Sequence, residues 1–157
     1  MSKFFYETSI GKIGIEQKEN HICRVYFATD QNHEDCNIEE TPLLKEASMQ
    51  LNSYLEGKLK EFTLPLYTNS EGTEFMQAVW DALCKIPYGG TMTYGELAQK
   101  IGRPKAQRAV GRACNRNPIP IFIPCHRIIG ANNKLIGYGG GLAIKQKLLS
   151  LETNHIY

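Results

Sequence analysis

The stretch Asn117-Pro118-Ile119-Pro120-Ile121-Phe122-Ile123-Pro124-Cys125-His126-Arg127 decides how the C-terminal half of the chain is read. Its three prolines are too dense for a helix, because each lacks a backbone N–H and clashes with a helical neighbour. Ile121-Phe122-Ile123 between them reads as a short buried extended strand. Cys125 then stands at a strand end, flanked by Pro124, where a reacting side chain can be held rigid and partly exposed. Thiolate is the nucleophilic form of cysteine, and a neighbouring imidazole and guanidinium would both lower the thiol pKa. A Cys-His dipeptide by itself is weak: adjacent residues in an extended segment point to opposite faces, so His126 need not touch the sulfur. An inert, half-buried cysteine is the plainer reading of those two residues alone.

Working upstream, residues 94–101 read as a short helix, Gly102 as a turn, and Pro104 as the first turn of a second helix running to about Asn115. Two short helices joined by a Gly-containing turn have the helix-turn-helix shape. Arg108, Arg112 and Arg116 are four apart and line one face, while Ala106, Ala109, Gly111 and Ala113 keep the second helix thin. Such a helix can lie close to a phosphate backbone, although a row of arginines can also be no more than a solvated face. The charge balance favours the first reading. Residues 1–70 carry seven Lys/Arg against eleven Asp/Glu, residues 71–157 eleven against five, and ten cations but no acid lie between Glu96 and Glu152. That asymmetry points to a polyanion on the C-terminal half.

Further out, Thr73 caps a helix with an apolar stripe of Phe75, Met76, Val79, Trp80 and Leu83, and Gly139-Gly140-Gly141 precedes a last helix from Leu142 to about Glu152. Residues 4–8, 12–17 and 22–28 read as an antiparallel meander, residues 30–40 as a polar loop, and residues 62–66 as a short strand. Thr41-Pro42 opens a helix that carries Leu44, Ala47, Leu51 and Tyr54 at helical spacing and closes at Gly57. The character changes near Asn69-Ser70-Glu71-Gly72, which predicts two lobes, 1–70 and 71–157. With 157 residues, 42% apolar and 22% charged, the composition excludes disorder, collagen-like repeats and coiled coil. No apolar run approaches a membrane span, and Met1-Ser2-Lys3-Phe4-Phe5-Tyr6-Glu7 lacks a signal-peptide apolar region. The expectation is a soluble intracellular protein, cytoplasmic or, in a eukaryote, nuclear. Five cysteines are an odd number and read as reduced thiols. His21, Cys23, His33 and Cys36 are zinc-type ligands within sixteen residues, but the His21-x-Cys23 spacing is too short for a usual finger, and no metal is assigned. His155 reads as a solvated residue.

The segment 117–129, followed by Gly137-Tyr138-Gly139-Gly140-Gly141-Leu142-Ala143-Ile144-Lys145, resembles the active-site signature of the O6-alkylguanine-DNA alkyltransferases. Pro87-Tyr88-Gly89, Thr93-Tyr94-Gly95-Glu96-Leu97-Ala98 and Arg108-Ala109-Val110-Gly111-Arg112-Ala113 resemble that family's helix-turn-helix, and the likeness is dense from about residue 73 to 152. The N-terminal lobe matches more loosely, through Ser9-Ile10-Gly11-Lys12-Ile13. The resemblance implies an α/β fold with a small N-terminal antiparallel sheet, RNase H-like, and a helical C-terminal lobe bearing the helix-turn-helix and the reactive cysteine. It implies a monomer without cofactor that moves an alkyl group from O6 of guanine in double-stranded DNA to its own cysteine, once. By that resemblance Cys125 is the acceptor, His126 acts through a water as base, and Glu152 orients His126. Tyr94 and the Gly139 N–H donate to the departing base, the carbonyls of Cys125 and Ile128 read its amino group, and Asn117 ties the helix pair to the cysteine segment. Lys145 lies near the pocket. Arg108 enters the base stack while Ala109, Arg112 and Arg116 meet the minor groove.

Two residues depart from the family pattern. Cys114 stands where a larger apolar residue such as Met is common, and Ile136 is bulky beside the Gly137-Tyr138 turn, which predicts poorer acceptance of large alkyl groups. The main rival is a non-catalytic, alkyltransferase-like module that binds damaged DNA; such relatives lack the acceptor cysteine, which this chain has. A helix-turn-helix regulator and a cysteine hydrolase are weaker rivals.

Overall fold

The computed structural model describes residues 1–30, 37–68 and 72–154, with the side chain of residue 133 left aside. The predicted α/β class holds. The chain divides into two compact units, Met1–Thr68 and Asn69–Tyr157, of which His33, Cys36 and His155 lie outside the described residues.

In the first unit, β1 (Ser2–Thr8), β2 (Gly11–Lys18) and β3 (His21–Tyr26) form the antiparallel meander. Thr8 pairs with Gly11 across a two-residue turn, and Gly11 takes φ +100°, a conformation that favours glycine. The sheet order is β3-β2-β1-β4, because β4 (Asn37–Ile38) adds a parallel edge to β1. The segment read as a polar loop therefore holds a strand. Its two residues are exposed and pair through main chain alone, Asn37 N–H to Met1 O at 3.1 Å, so no side-chain alternation announces it. Helix α1 (Pro42–Leu55) is capped by Thr41, whose Oγ1 accepts the Leu44 N–H, and buries Leu44, Ala47, Leu51 and Tyr54 against the sheet. The strand predicted at 62–66 is reduced to a single parallel bridge between Ile22 and Leu66. Pro65 lends its carbonyl to Ile22 but has no N–H with which to extend a ladder.

In the second unit, α2 (Glu74–Cys84) starts from the Thr73 cap and buries Val79, Trp80, Ala82 and Leu83. Helix α3 (Tyr94–Lys100) opens with a reciprocal capping box between Thr93 and Glu96. Helix α4 (Gln107–Asn115) begins three residues past Pro104 and has no side-chain cap. It buries Val110 and Ala113, and the Trp80 Nε1–H donates to the Ala113 carbonyl at 2.9 Å, which fastens α2 to α4. A two-residue parallel ladder joins β5 (Met92–Thr93) to β6 (Ile128–Ile129). Because β5 runs directly into α3 and β6 directly follows Arg127, this ladder fixes the start of α3 beside the cysteine segment. Helix α5 (Leu142–Thr153) buries Lys145, Leu148, Leu149 and Glu152, a single stripe at three- and four-residue spacing. No helix among the described residues is long and apolar enough to cross a membrane.

The strand expected at 121–123 is not formed. Residues 117–124 wind as a turn, with the Ile123 N–H bonded to Ile119 O at 2.9 Å and Ile121 in the left-handed region at φ +75°. The side chain of Asn117 supplies the partners that a neighbouring strand would have supplied, accepting from Ile119 N–H and donating to Ile123 O, both at 2.9 Å. Apolar residues here signal burial, which a turn satisfies as well as a strand does. Replacing Trp80 by Ala removes both its buried ring and its bond to α4, and should cost about 3–5 kcal/mol. Urea unfolding followed by far-UV circular dichroism measures the loss.

Candidate active site

Cys125, His126 and Arg127 form one turn of 3-10 helix, closed by the Ile128 N–H on the Cys125 carbonyl, and all three residues are buried. At three residues per turn their side chains leave the backbone about a third of a revolution apart. The sequence placed Cys125 at a strand end; the structure places it at the head of this turn, so neighbouring side chains diverge for a different geometric reason. His126 Nε2 lies 2.7 Å from Glu152 Oε2. Arg127 reaches the same carboxylate with two nitrogens, Nε to Oε1 at 2.8 Å and Nη2 to Oε2 at 3.1 Å, and donates from Nη1 to Ile86 O at 2.7 Å. The Gly89 N–H adds a fourth donor, 3.2 Å from Oε1.

A carboxylate accepts, so Nε2 of His126 carries the proton and Nδ1 is the basic nitrogen of the neutral ring. Burial pushes the His126 pKa below its ordinary 6.5; Glu152 opposes the fall, and the positive charges of Arg127 and Lys145 add to it. The imidazole is thereby kept as a base near neutrality.

Cys125 corrects an expectation. Burial raises its thiol to about 11, and neither His126 nor Arg127 is what pulls it down. The opposing influences are a hydrogen bond from the Asn117 side chain, the charge of Lys145 and the cysteine's own backbone N–H. At neutral pH the sulfur therefore rests as a protonated thiol that needs a base. Lys145 is almost fully buried and donates from Nζ to Ile136 O at 3.0 Å and Gly137 O at 3.5 Å. Burial lowers its pKa, and the nearby thiols of Cys125 and Cys114 hold it up. The Tyr94 hydroxyl donates to the same Ile136 carbonyl at 3.2 Å, and burial first, then Cys114 and Cys125, pushes its pKa up to about 12. Cys114, likewise raised to about 12 by burial and then by Cys125, belongs to this cluster.

The structure thus brings Cys125, Asn117, Lys145 and Tyr94 together, and sets His126 on Glu152. Ile128 is buried in β6. The Cys125 carbonyl, expected to read a base, already accepts one internal bond. Gly139 is exposed, and nothing lies within 4 Å of where its Cβ would be, so its backbone is open to close approach. Arg108 and Arg112 are exposed on α4, and Ala109 is half-buried. Arg116 falls at the C-cap, beyond the last turn of α4, so the row of three arginines is two on the helix and one past its end. Ile136 leans on Gly130, where an added Cβ would fall 2.5 Å from its Cδ1, and its carbonyl accepts from both Tyr94 and Lys145. The His21 ring lies tilted against that of Tyr67, 5.9 Å between centres, while the Cys23 thiol donates to Glu16 Oε2 at 3.5 Å, so the two nearest zinc-type residues have different partners.

Sequence reading named two residues but missed their place in the site. Arg127 was visible only as a neighbour of the thiol, although an arginine in a chain segment without acids has to find its counter-ion far along the sequence, at Glu152. Cys114 carried one signal, a thiol among arginines on a helix of small residues.

Residues 74–154 match the family model of the 6-O-methylguanine DNA methyltransferase DNA binding domain, and residues 1–68 match that of its ribonuclease-like domain. The chain belongs to the 6-O-methylguanine DNA methyltransferase family. A methylated-DNA--protein-cysteine methyltransferase of Methanosarcina acetivorans is 50% identical over 150 residues, 94% of this chain and 95% of that protein. The constitutive methylated-DNA--protein-cysteine methyltransferase of Bacillus subtilis is 43% identical over 93% of this chain and 92% of that one. Among solved structures, Mycobacterium tuberculosis OGT in complex with DNA superposes with a TM-score of 0.90 at 40% identity, covering 98% of this chain and 94% of that one.

Lys145→Met removes a charge that favours the Cys125 thiolate, so ionisation of the thiol should move above about 11. Modification of Cys125 by iodoacetamide, followed by mass spectrometry between pH 8 and 11, should be slower than in the unaltered protein at every pH.

Proposed function

We propose that the protein repairs O6-alkylguanine in double-stranded DNA by transferring the alkyl group, methyl above all, to its own Cys125, each molecule acting once and without a cofactor. The observation that carries this reading is a buried thiol and a neutral, carboxylate-anchored imidazole on a single 3-10 turn. The relatives named methylated-DNA--protein-cysteine methyltransferase, at 43% and 50% identity over nearly the whole chain, support it.

In the proposed reaction His126 Nδ1 takes the Cys125 proton through a water. The sulfur attacks the alkyl carbon, the S–C bond forms as the C–O6 bond breaks, and guanine departs as the O6 anion. Tyr94, whose hydroxyl now donates to Ile136 O, and the open Gly139 N–H donate to that anion as charge develops. Carbonyl oxygens of Cys125 and Ile128 hold the base, and the amide of Asn117 and the charge of Lys145 favour the thiolate.

A stacked guanine cannot present its alkyl carbon to a buried sulfur, so the base is flipped out of the duplex. Helices α3 and α4 act as the helix-turn-helix, with α4 in the minor groove, where Ala109 and Gly111 permit close approach. Arg108 fills the vacated stack, and Arg112 and Arg116 meet phosphates, so binding is largely independent of sequence and sensitive to salt. Residues 71–157 carry binding and transfer, residues 1–70 form the ribonuclease-like lobe, and the protein works as a monomer wherever its DNA is: cytoplasm, or nucleus in a eukaryote. The non-catalytic module is disfavoured by the presence of Cys125.

Incubation with duplex oligonucleotide bearing O6-methylguanine, followed by intact mass and peptide mapping, should show one added methyl at Cys125; an unchanged mass overturns the proposal. Cys125→Ala should abolish labelling and leave DNA binding intact in a mobility-shift assay. Arg108→Ala should slow repair of duplex by about tenfold or more while sparing reaction with free O6-benzylguanine, because only duplex requires flipping. Glu152→Gln should slow single-turnover transfer by about 100-fold through loss of the base's orientation.

A further inference from the structure

Glu152 is fully buried at its side chain, and its two oxygens receive four donors: Arg127 Nε and Gly89 N–H on Oε1, His126 Nε2 and Arg127 Nη2 on Oε2. A carboxylate offers about four lone-pair sites, so these four donors are enough to answer its buried charge. Arg127 is itself held flat by a third bond, Nη1 to Ile86 O, and by the ring of Tyr88 6.0 Å away. The fork therefore has one geometry, and it decides where the carboxylate stands relative to the imidazole. We propose that Arg127 is a positioning residue for the alkyl transfer: its guanidinium holds Glu152 so that the carboxylate takes only the Nε2 proton of His126, which leaves Nδ1 as the proton acceptor.

The physical argument is one of counter-charges. A buried carboxylate needs a cation or enough donors to replace water. With Arg127 present, the guanidinium neutralises Glu152, and His126 serves it as a neutral N–H donor. Without Arg127, two of the four acceptor sites open, and the nearest group able to become a cation is His126 itself. An imidazolium has no lone pair and cannot take the Cys125 proton. The other charged and titratable groups facing this cluster do not substitute. Lys145, also on α5, is committed to the carbonyls of Ile136 and Gly137. Tyr88 after α2 and Cys84 at the end of α2 both have their pKa raised, with burial the first cause, and stay neutral. Arg127 and Glu152 also act on His126 in opposite senses, the guanidinium disfavouring and the carboxylate favouring its protonated form.

This inference rests on the transfer reading, and the tests separate the two. Single-turnover transfer from O6-methylguanine duplex would be measured from pH 5 to 9. In Arg127→Met the acidic limb should move upward by about one pH unit or more, a loss that approaches about tenfold on the acidic side of the limb and narrows as pH rises through neutrality. Arg127→Lys, which keeps the charge but not the fork, should bring the limb back toward its original position. A uniform loss across all pH, or an unmoved limb, would mean that Arg127 only supports the fold, and overturns the proposal. Ring nitrogen-15 spectra of the unaltered protein supply a readout that needs no activity: at pH 7 His126 should be protonated at Nε2 and bare at Nδ1. An imidazolium or the opposite tautomer there overturns the proposal even if Arg127→Met does not fold. Failure of the unaltered protein to gain a methyl would instead overturn the transfer reading.

Discussion

One carboxylate organises the C-terminal unit. Burying an ion costs several kcal/mol unless its lone pairs are answered, and the cost falls on whichever element supplies the charge. Glu152 sits on the buried stripe of α5, and its donors come from two other places: the turn carrying Cys125 and, at Gly89, the loop after α2. Moving any of these would strand a charge out of water. The penalty for separation is thus what keeps the 3-10 turn against α5, with the two leucines at 148 and 149 filling the space between Lys145 and Glu152.

The same arrangement divides labour between two cations. Arg127 answers the carboxylate, and Lys145 faces the sulfur, so neither charge is cancelled by the other's partner. A thiol raised to about 11 is largely unreactive toward ordinary electrophiles at neutral pH. A protein that spends its only acceptor sulfur in one event gains from that reluctance. A thiol in that state has to lose its proton to a base before it can attack, since it carries little standing ionisation.

Much of this was legible in the residues. The capped helices α1, α2 and α3 were readable from Thr41, Thr73 and Thr93 because a cap is a local bond. The Cys125, His126 and Glu152 set was readable through the likeness of residues 73–152 to a known family. What stayed hidden depended on distant partners. Strand β4 forms from main-chain bonds to Met1 and Lys3, which leave no side-chain pattern. The turn at 117–123 follows from one side chain, Asn117, taking over two backbone groups, and apolar composition alone cannot tell that from a strand. The pull on the Cys125 thiol comes first from Asn117 and then from Lys145, twenty residues away, and not from the adjacent His126 and Arg127, because a tight turn sends adjacent side chains apart.

The left-handed residue behind the nucleophile is an isoleucine, a type for which that conformation is uncommon. Glycine would relax the backbone there, by about 1–2 kcal/mol, yet Ile121 is 1% exposed, and surrendering so deeply enclosed a side chain costs about 2–5 kcal/mol. The larger quantity wins, so the chain retains a left-handed isoleucine for the sake of filled volume. The segment leading to Cys125 is accordingly stiff in two independent ways, by proline rings and by an interior plug. Backbone freedom is found instead in the glycine-rich stretch 137–141, where Gly137 and Gly141 both take positive φ.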